Sequence, residues 1–160
     1  MAREISSSDD IIDIRDMIER FEELRDERAD LETAFTDAQK AFEETDEEDG
    51  DARAEAQVAI DDAESALLEW DGQEEHDNLK SLLEDLAGSG GDEKWEGSWY
   101  PITLVADSHF EDFARDEAEQ LGLIKDQSWP CNCIDWERAA RELQMDYSAV
   151  EWGGNTFWYR

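Results

Sequence analysis

Basic side chains are scarce in this chain: 14 Lys and Arg stand against 46 Asp and Glu, leaving a net charge of −32. Nucleic acid and anionic membranes carry that same sign, so neither is expected as a ligand, and a basic protein surface is the natural partner. Cysteine is nearly absent. Cys131 and Cys133 are too few and too close for a disulfide framework, and a zinc site would need two more ligands where only His76 and His109 exist. No run of about 18 apolar residues occurs, so no membrane span is expected. The opening Met-Ala-Arg-Glu-Ile has no apolar run either, which argues against a secretory signal and for the cytoplasm.

The motifs of chemistry are missing too. There is no phosphate-cradling glycine loop, nucleophile elbow or spaced calcium-loop carboxylates. Asp107, Ser108 and His109 are triad residue types, but immediate neighbours cannot converge as a relay. The expectation is a protein that is not an enzyme and has no metal and no cofactor.

Aromatics are sparse in the first half, and six of the seven Trp lie at or after Trp95. The acids are skewed the other way. Residues 1–94 hold 33 Asp and Glu against 9 Lys and Arg, and residues 95–160 hold 13 against 5. This asymmetry predicts a thin acidic element followed by a compact core. Before Asp49 the chain contains no Gly or Pro. Ser7 to Asp10 read as a helix start, with acids at the positive end of the dipole. Apolar residues then keep a 4–3 beat through Ile14, Met17, Phe21, Leu24, Leu31, Phe35, Ala38 and Phe42. Arg28 interrupts it, where it fixes register or reaches a neighbouring carboxylate. A helix from Asp9 to Asp46 would be roughly 55–60 Å long. Gly50 marks a turn, and Ala56, Ala59, Ala63, Ala66 and Trp70, thickened by Ile60 and Leu67, predict a returning helix. Asp71-Gly72 breaks it ahead of Leu79, Leu82, Leu83 and Leu86.

The fold class expected is α+β: a long N-terminal coiled-coil hairpin over 1–87, a Gly/Ser linker at 88–94, and a small domain of two helices and a β-hairpin over 95–160. In that domain Trp99 to Val105 suggest a short strand. Asp107 or Ser108 caps a helix bearing Phe110, Phe113, Ala114, Ala118 and Leu121. Asp135 caps another bearing Trp136, Ala139, Ala140 and Leu143, and Gly153-Gly154-Asn155 marks the hairpin.

The acids are densest at Glu43, Glu44, Asp46, Glu47, Glu48, Asp49 and Asp51. Over a hairpin about 60 Å long, the acids of the first half would fall one per roughly 1.8 Å, against roughly 1.7 Å for the charges of duplex DNA. Such a rod could enter a groove that tracks phosphates with Lys and Arg. A solvated coiled-coil face, including a halophile's acidic surface, would carry the same charge.

Three C-terminal segments, DSHFEDFAR over 107–115, EQLGLI over 119–124 and IDWERAAREL over 134–143, resemble the end of the ArdA-type antirestriction proteins. Those carry an acidic D-x-x-D-x-A-R helix, a Gly-Ala-Leu-like stop, an I-D-Y-x-x-x-x-R-D-L segment and a short aromatic ending. Trp136 stands for the aromatic and Glu142 for the acid, while Arg141 and Leu143 match directly. The resemblance covers about residues 107–159 and leaves out the helical half, which replaces the family's other acidic domains. It implies a phage- or plasmid-borne DNA mimic that dimerises through its last domain and occupies the DNA groove of a type I restriction–modification enzyme. Ile134, Asp135, Trp136, Arg141 and Leu143 would then belong to the packing and dimer-forming motif. Binding would fall to Glu111, Asp112, Asp116, Glu117 and the acids of the rod.

The function expected is therefore a non-enzymatic inhibitor of a host defence nuclease, acting in the host cytoplasm as a homodimer. A type I restriction enzyme is the favoured target, with a CRISPR complex as another basic groove. The alternatives are a coiled-coil adaptor with an acidic solvated surface, or a regulator of a basic DNA-binding protein.

Overall fold

The computed structural model describes residues 5–91, 93–126 and 128–160, so Asp92 of the expected linker and Gln127 lie outside the described residues. Helix and strand are mixed, with one long N-terminal helix and a small antiparallel sheet. In order the elements are β1 (Ile11–Asp13), α1 (Ile14–Glu44), α2 (Gly50–Leu68), α3 (Gln73–Leu86), β2 (Glu93–Trp95), β3 (Ser98–Tyr100) and β4 (Thr103–Ala106). A 3-10 turn (Asp107–His109), α4 (Phe110–Gln120), a second 3-10 turn (Cys131–Cys133), α5 (Trp136–Gln144), β5 (Ser148–Trp152) and β6 (Asn155–Tyr159) follow.

The chain divides into two compact units, Met1–Glu19 with Leu79–Arg160, and Arg20–Asn78. That division differs from 1–87, 88–94 and 95–160. The Gly/Ser stretch falls inside the first unit and is tied there: the Gly88 amide donates to the Trp99 carbonyl at 2.6 Å. Gly91, at φ +73, lies so close to the Tyr100 carbonyl that a Cβ would collide with it.

The first unit carries an antiparallel sheet in the order β1-β4-β6-β5, with β2 and β3 forming a separate hairpin. β1 corrects the expected helix start: Ile11–Asp13 pair with Val105–Thr103, burying Ile12 and leaving Ile11 exposed. Alternation of that kind belongs to a strand with one covered face. The expected strand over 99–105 is two strands, interrupted at Pro101-Ile102 because proline cannot donate to a ladder. β5 and β6 close over Gly153 (φ +57) and Gly154 (φ +80), the left-handed pair that a two-residue hairpin requires. Val105, Phe110, Ala114 and Ala140 form a buried cluster, with Phe113, Leu143, Tyr147 and Trp158 packed against it. Phe110 meets Tyr147 edge-on at 5.2 Å. Leu121, expected on this apolar face, is instead 69% exposed just beyond the end of α4.

In the second unit α1 and α2 join through a short acidic turn. The helix α1 is 31 residues, about 46 Å, shorter than expected because the strand takes its first turn. Its covered positions follow the 4–3 beat: Phe21 and Leu24 are buried, while Arg28, Leu31, Phe35, Ala38 and Phe42 are half-buried. On α2 the covered stripe runs Arg53, Ala56, Ile60, Ala63 and Leu67, with Trp70 half-buried just beyond its end, and Ala59 and Ala66 are exposed. The expected alanine face is thus rotated toward its two large apolar residues, which bury more surface than alanine does. Two contacts join this stretch to α1: Arg53 of α2 lies 4.5 Å from the Phe42 ring, and Trp70, just beyond the end of α2, donates its Nε1–H to Glu27 at 3.4 Å.

Candidate functional site

Asp49 caps α2 by accepting the Ala52 amide at 3.1 Å, and Asp46 accepts the Glu48 amide at 3.0 Å. The Thr45 hydroxyl closes the end of α1 onto the Ala41 carbonyl at 2.7 Å. Two of the seven acids expected at the tip therefore hold the turn itself. All seven, Glu43, Glu44, Asp46, Glu47, Glu48, Asp49 and Asp51, are exposed. Residues 20–78 contain 23 Asp and Glu against 5 Lys and Arg, a net of −18.

Each of those five bases is engaged within the unit. Arg20 grips Glu75 through two bonds of 2.8 and 2.7 Å and reaches Glu23 at 3.4 Å. Its hydrogen bonds to Glu75 raise the guanidinium pKa above its ordinary value. Arg25 lies 3.4 Å from Asp26 and Arg28 lies 3.0 Å from Glu32, so Arg28 reaches a neighbouring carboxylate. Lys40 is 3.9 Å from Glu44, and Arg53 sits over Phe42. Most of the unit's carboxylates are exposed.

At the other end of this unit His76 is buried, stacked on Phe21 at 5.2 Å, with Nδ1 2.9 Å from Asp77 Oδ1. Hydrogen bonds from Gln73, and then from His76, hold the Asp77 carboxyl below its usual range. Nothing in the sequence pattern marks this cluster, because Phe21 and His76 lie 55 residues apart on α1 and α3.

In the first unit Glu111, Asp112 and Asp116 are exposed and Glu117 is half-buried. The C-terminal motif residues do different jobs. Asp135 caps α5 by accepting the Arg138 amide at 3.1 Å, and the Trp136 ring lies 5.3 Å from the Arg115 guanidinium. Leu143 packs on the aromatic cluster, and Ile134 is half-buried. Arg141 stands on the surface, 3.5 Å from Glu137. Asp107 does not cap α4. Its carboxylate accepts Trp158 Nε1 at 2.8 Å and Gln144 Nε2 at 3.2 Å, joining β6 and α5.

Cys131 and Cys133 are both free thiols. Among the described residues no group of three or more His, Cys, Asp or Glu could hold a metal ion, and no helix is long and apolar enough to cross a membrane. No family model, no curated protein and no solved structure matches this chain.

Proposed function

We propose that this protein is a non-enzymatic mimic of duplex DNA that inhibits a defence nuclease, with a type I restriction enzyme as the favoured target. The observation that carries the reading is the charge density of the second unit. Its part of α1 plus the turn extends about 40 Å, so its acids fall one per roughly 1.7 Å, or one per about 2.2 Å net of bases. Duplex DNA carries one charge per roughly 1.7 Å. With the basic side chains already engaged, the surplus is free to meet Lys and Arg lining a groove, and encounter is steered electrostatically. On this reading α1 and α2 act as a coiled-coil hairpin, their covered stripes forming the seam. The ArdA-type resemblance of 107–159 adds a homodimer, acting in the host cytoplasm, with Glu111, Asp112, Asp116 and Glu117 as further binding acids.

The test is competition. The protein should displace duplex DNA from a purified type I restriction enzyme, and the displacement should weaken as salt rises, since the contacts are charge pairs. Inhibition that persists after the tip acids are changed to amides defeats the reading.

A second reading, a coiled-coil adaptor, draws on the half-burial of Leu31, Phe35 and Phe42, which leaves apolar surface along the stripe. There Phe35→Ala would abolish partner capture and amide substitutions would leave it unchanged.

A further inference from the structure

The two ends of the second unit differ in how they are held. At one end Phe21 and His76 are buried against each other and Arg20 clamps Glu75 with two bonds. From Arg25 to Asp71 no residue is buried, and α2 has none anywhere along its length. That stretch holds 18 acids against 4 bases. Its helix ends are also frustrated. Glu43 and Glu44 occupy the last turn of α1, neither α1 nor α2 has a base in its last turn, and carboxylates there oppose the negative end of the helix dipole. α1 has lateral ion pairs at Arg28–Glu32 and Lys40–Glu44. Along α2 its one base, Arg53, lies over a ring of α1, so its link to α1 is part of its support.

We infer that α2 is a charge-gated arm: it lies on α1 when cations screen the two helices and lifts away when they do not. Packed helices lie about 8–10 Å apart. The screening length is about 30 Å at 10 mM salt, so all the acids of both helices repel one another, and about 3 Å at 1 M, so they do not. Most helical stability in a folded protein comes from packing of the apolar face and not from propensity, so an undocked α2 loses amide protection. Its thin apolar stripe, Ile60 and Leu67, with Trp70 just beyond its end, cannot hold it against unscreened repulsion. The clamp at Arg20 and Glu75 keeps the base of the arm in place. A polycation would substitute for salt, so that a basic surface closes the arm it binds.

Hydrogen exchange on the full chain, with no partner present, tests this separately from any inhibition. Amides of 52–68 should gain about tenfold or more protection between roughly 10 mM and 1 M KCl, while those of 79–86 and 103–106 change little. Spermine added at the lower salt should restore the gain. Equal protection of 52–68 at both salts overturns the inference, and so does a gain spread evenly over the chain. In the variant Glu43→Gln, Glu44→Gln, Asp62→Asn, Glu64→Gln, α2 should already be protected at low salt; salt dependence as large as in the unchanged protein also overturns it.

Discussion

Single side chains in this protein carry their weight through specific partners more than through type. Asp107 lies on the surface, yet it accepts from both Trp158 and Gln144, so it joins a strand to a helix 37 residues away. Asp107→Ala leaves an indole N–H and an amide without their acceptor, and a loss of about 1–2 kcal/mol in denaturant unfolding is expected. Arg20 and Glu75 are only partly covered, with 29% and 40% of their side chains exposed, so solvent discounts their attraction. A double-mutant cycle between Arg20→Ala and Glu75→Gln should give a coupling of about 0.5–1 kcal/mol. Asp13 supplies the pH test. Hydrogen bonds from the Arg15 side chain, and then its backbone amide, hold the Asp13 carboxyl below its ordinary value. A depressed carboxyl contributes stability that is full above the unfolded value of about 3.9 and is lost as pH falls through the folded one. The stability gap between the native protein and Asp13→Asn should therefore be present at neutral pH and close only in strong acid. A gap that widens on acidification would contradict the assignment.

At the scale of elements, the legible features were those fixed by local chemistry. The covered positions of α1 follow the beat from Ile14 to Phe42 because an unbroken helix with no Gly or Pro has one phase. Asp135 capping α5, and the turn at Gly153-Gly154, likewise need only neighbouring residues. What was not legible depends on partners distant in sequence. Ile11–Asp13 suit a helix as well as a strand, and only β4, about ninety residues on, decides the matter. The second helix keeps the expected beat at Ala56, Ala63 and Trp70, but among so many alanines its half-buried stripe passes through Ile60 and Leu67 and leaves Ala59 and Ala66 exposed. Gly88 and Gly91 looked like a linker by composition, whereas close backbone approach is the reason for glycine at 91. Three glycine substitutions separate these roles. Gly91→Ala meets the Tyr100 carbonyl at a positive φ and should cost about 2 kcal/mol or more, read as a lowered Tm. Gly97→Ala at φ +83 has open space around its Cβ and should cost about 1 kcal/mol. Gly50→Ala, in the first turn of α2 with nothing near its Cβ, should raise stability by about 0.5 kcal/mol.

Across the whole molecule one quantity acts in opposite directions on folding and on association. Two carboxylates about 10 Å apart in water repel by roughly 0.4 kcal/mol. The acids of residues 20–78 make many such pairs, so their sum rivals the few kcal/mol that thin half-buried stripes contribute, and the net of −18 there is a standing load on the fold. The same load is what a basic groove would relieve. Which acids could be removed without touching the turn was not readable from the run at 43–51, because Asp46 and Asp49 differ from their neighbours only in the backbone amides they accept. Substituting the other five, Glu43→Gln, Glu44→Gln, Glu47→Gln, Glu48→Gln and Asp51→Asn, takes the net charge from −32 to −27 and spares both caps. If the charge serves mimicry, this variant should melt at a higher temperature at low salt, yet associate with a type I restriction enzyme about tenfold more slowly. Its on-rate should also depend less steeply on salt. If the charge serves only solvation, the on-rate stays put while the melting temperature still rises. Stability and encounter rate, measured on one variant in one buffer, therefore separate a surface that repels itself for a purpose from one that is merely acidic.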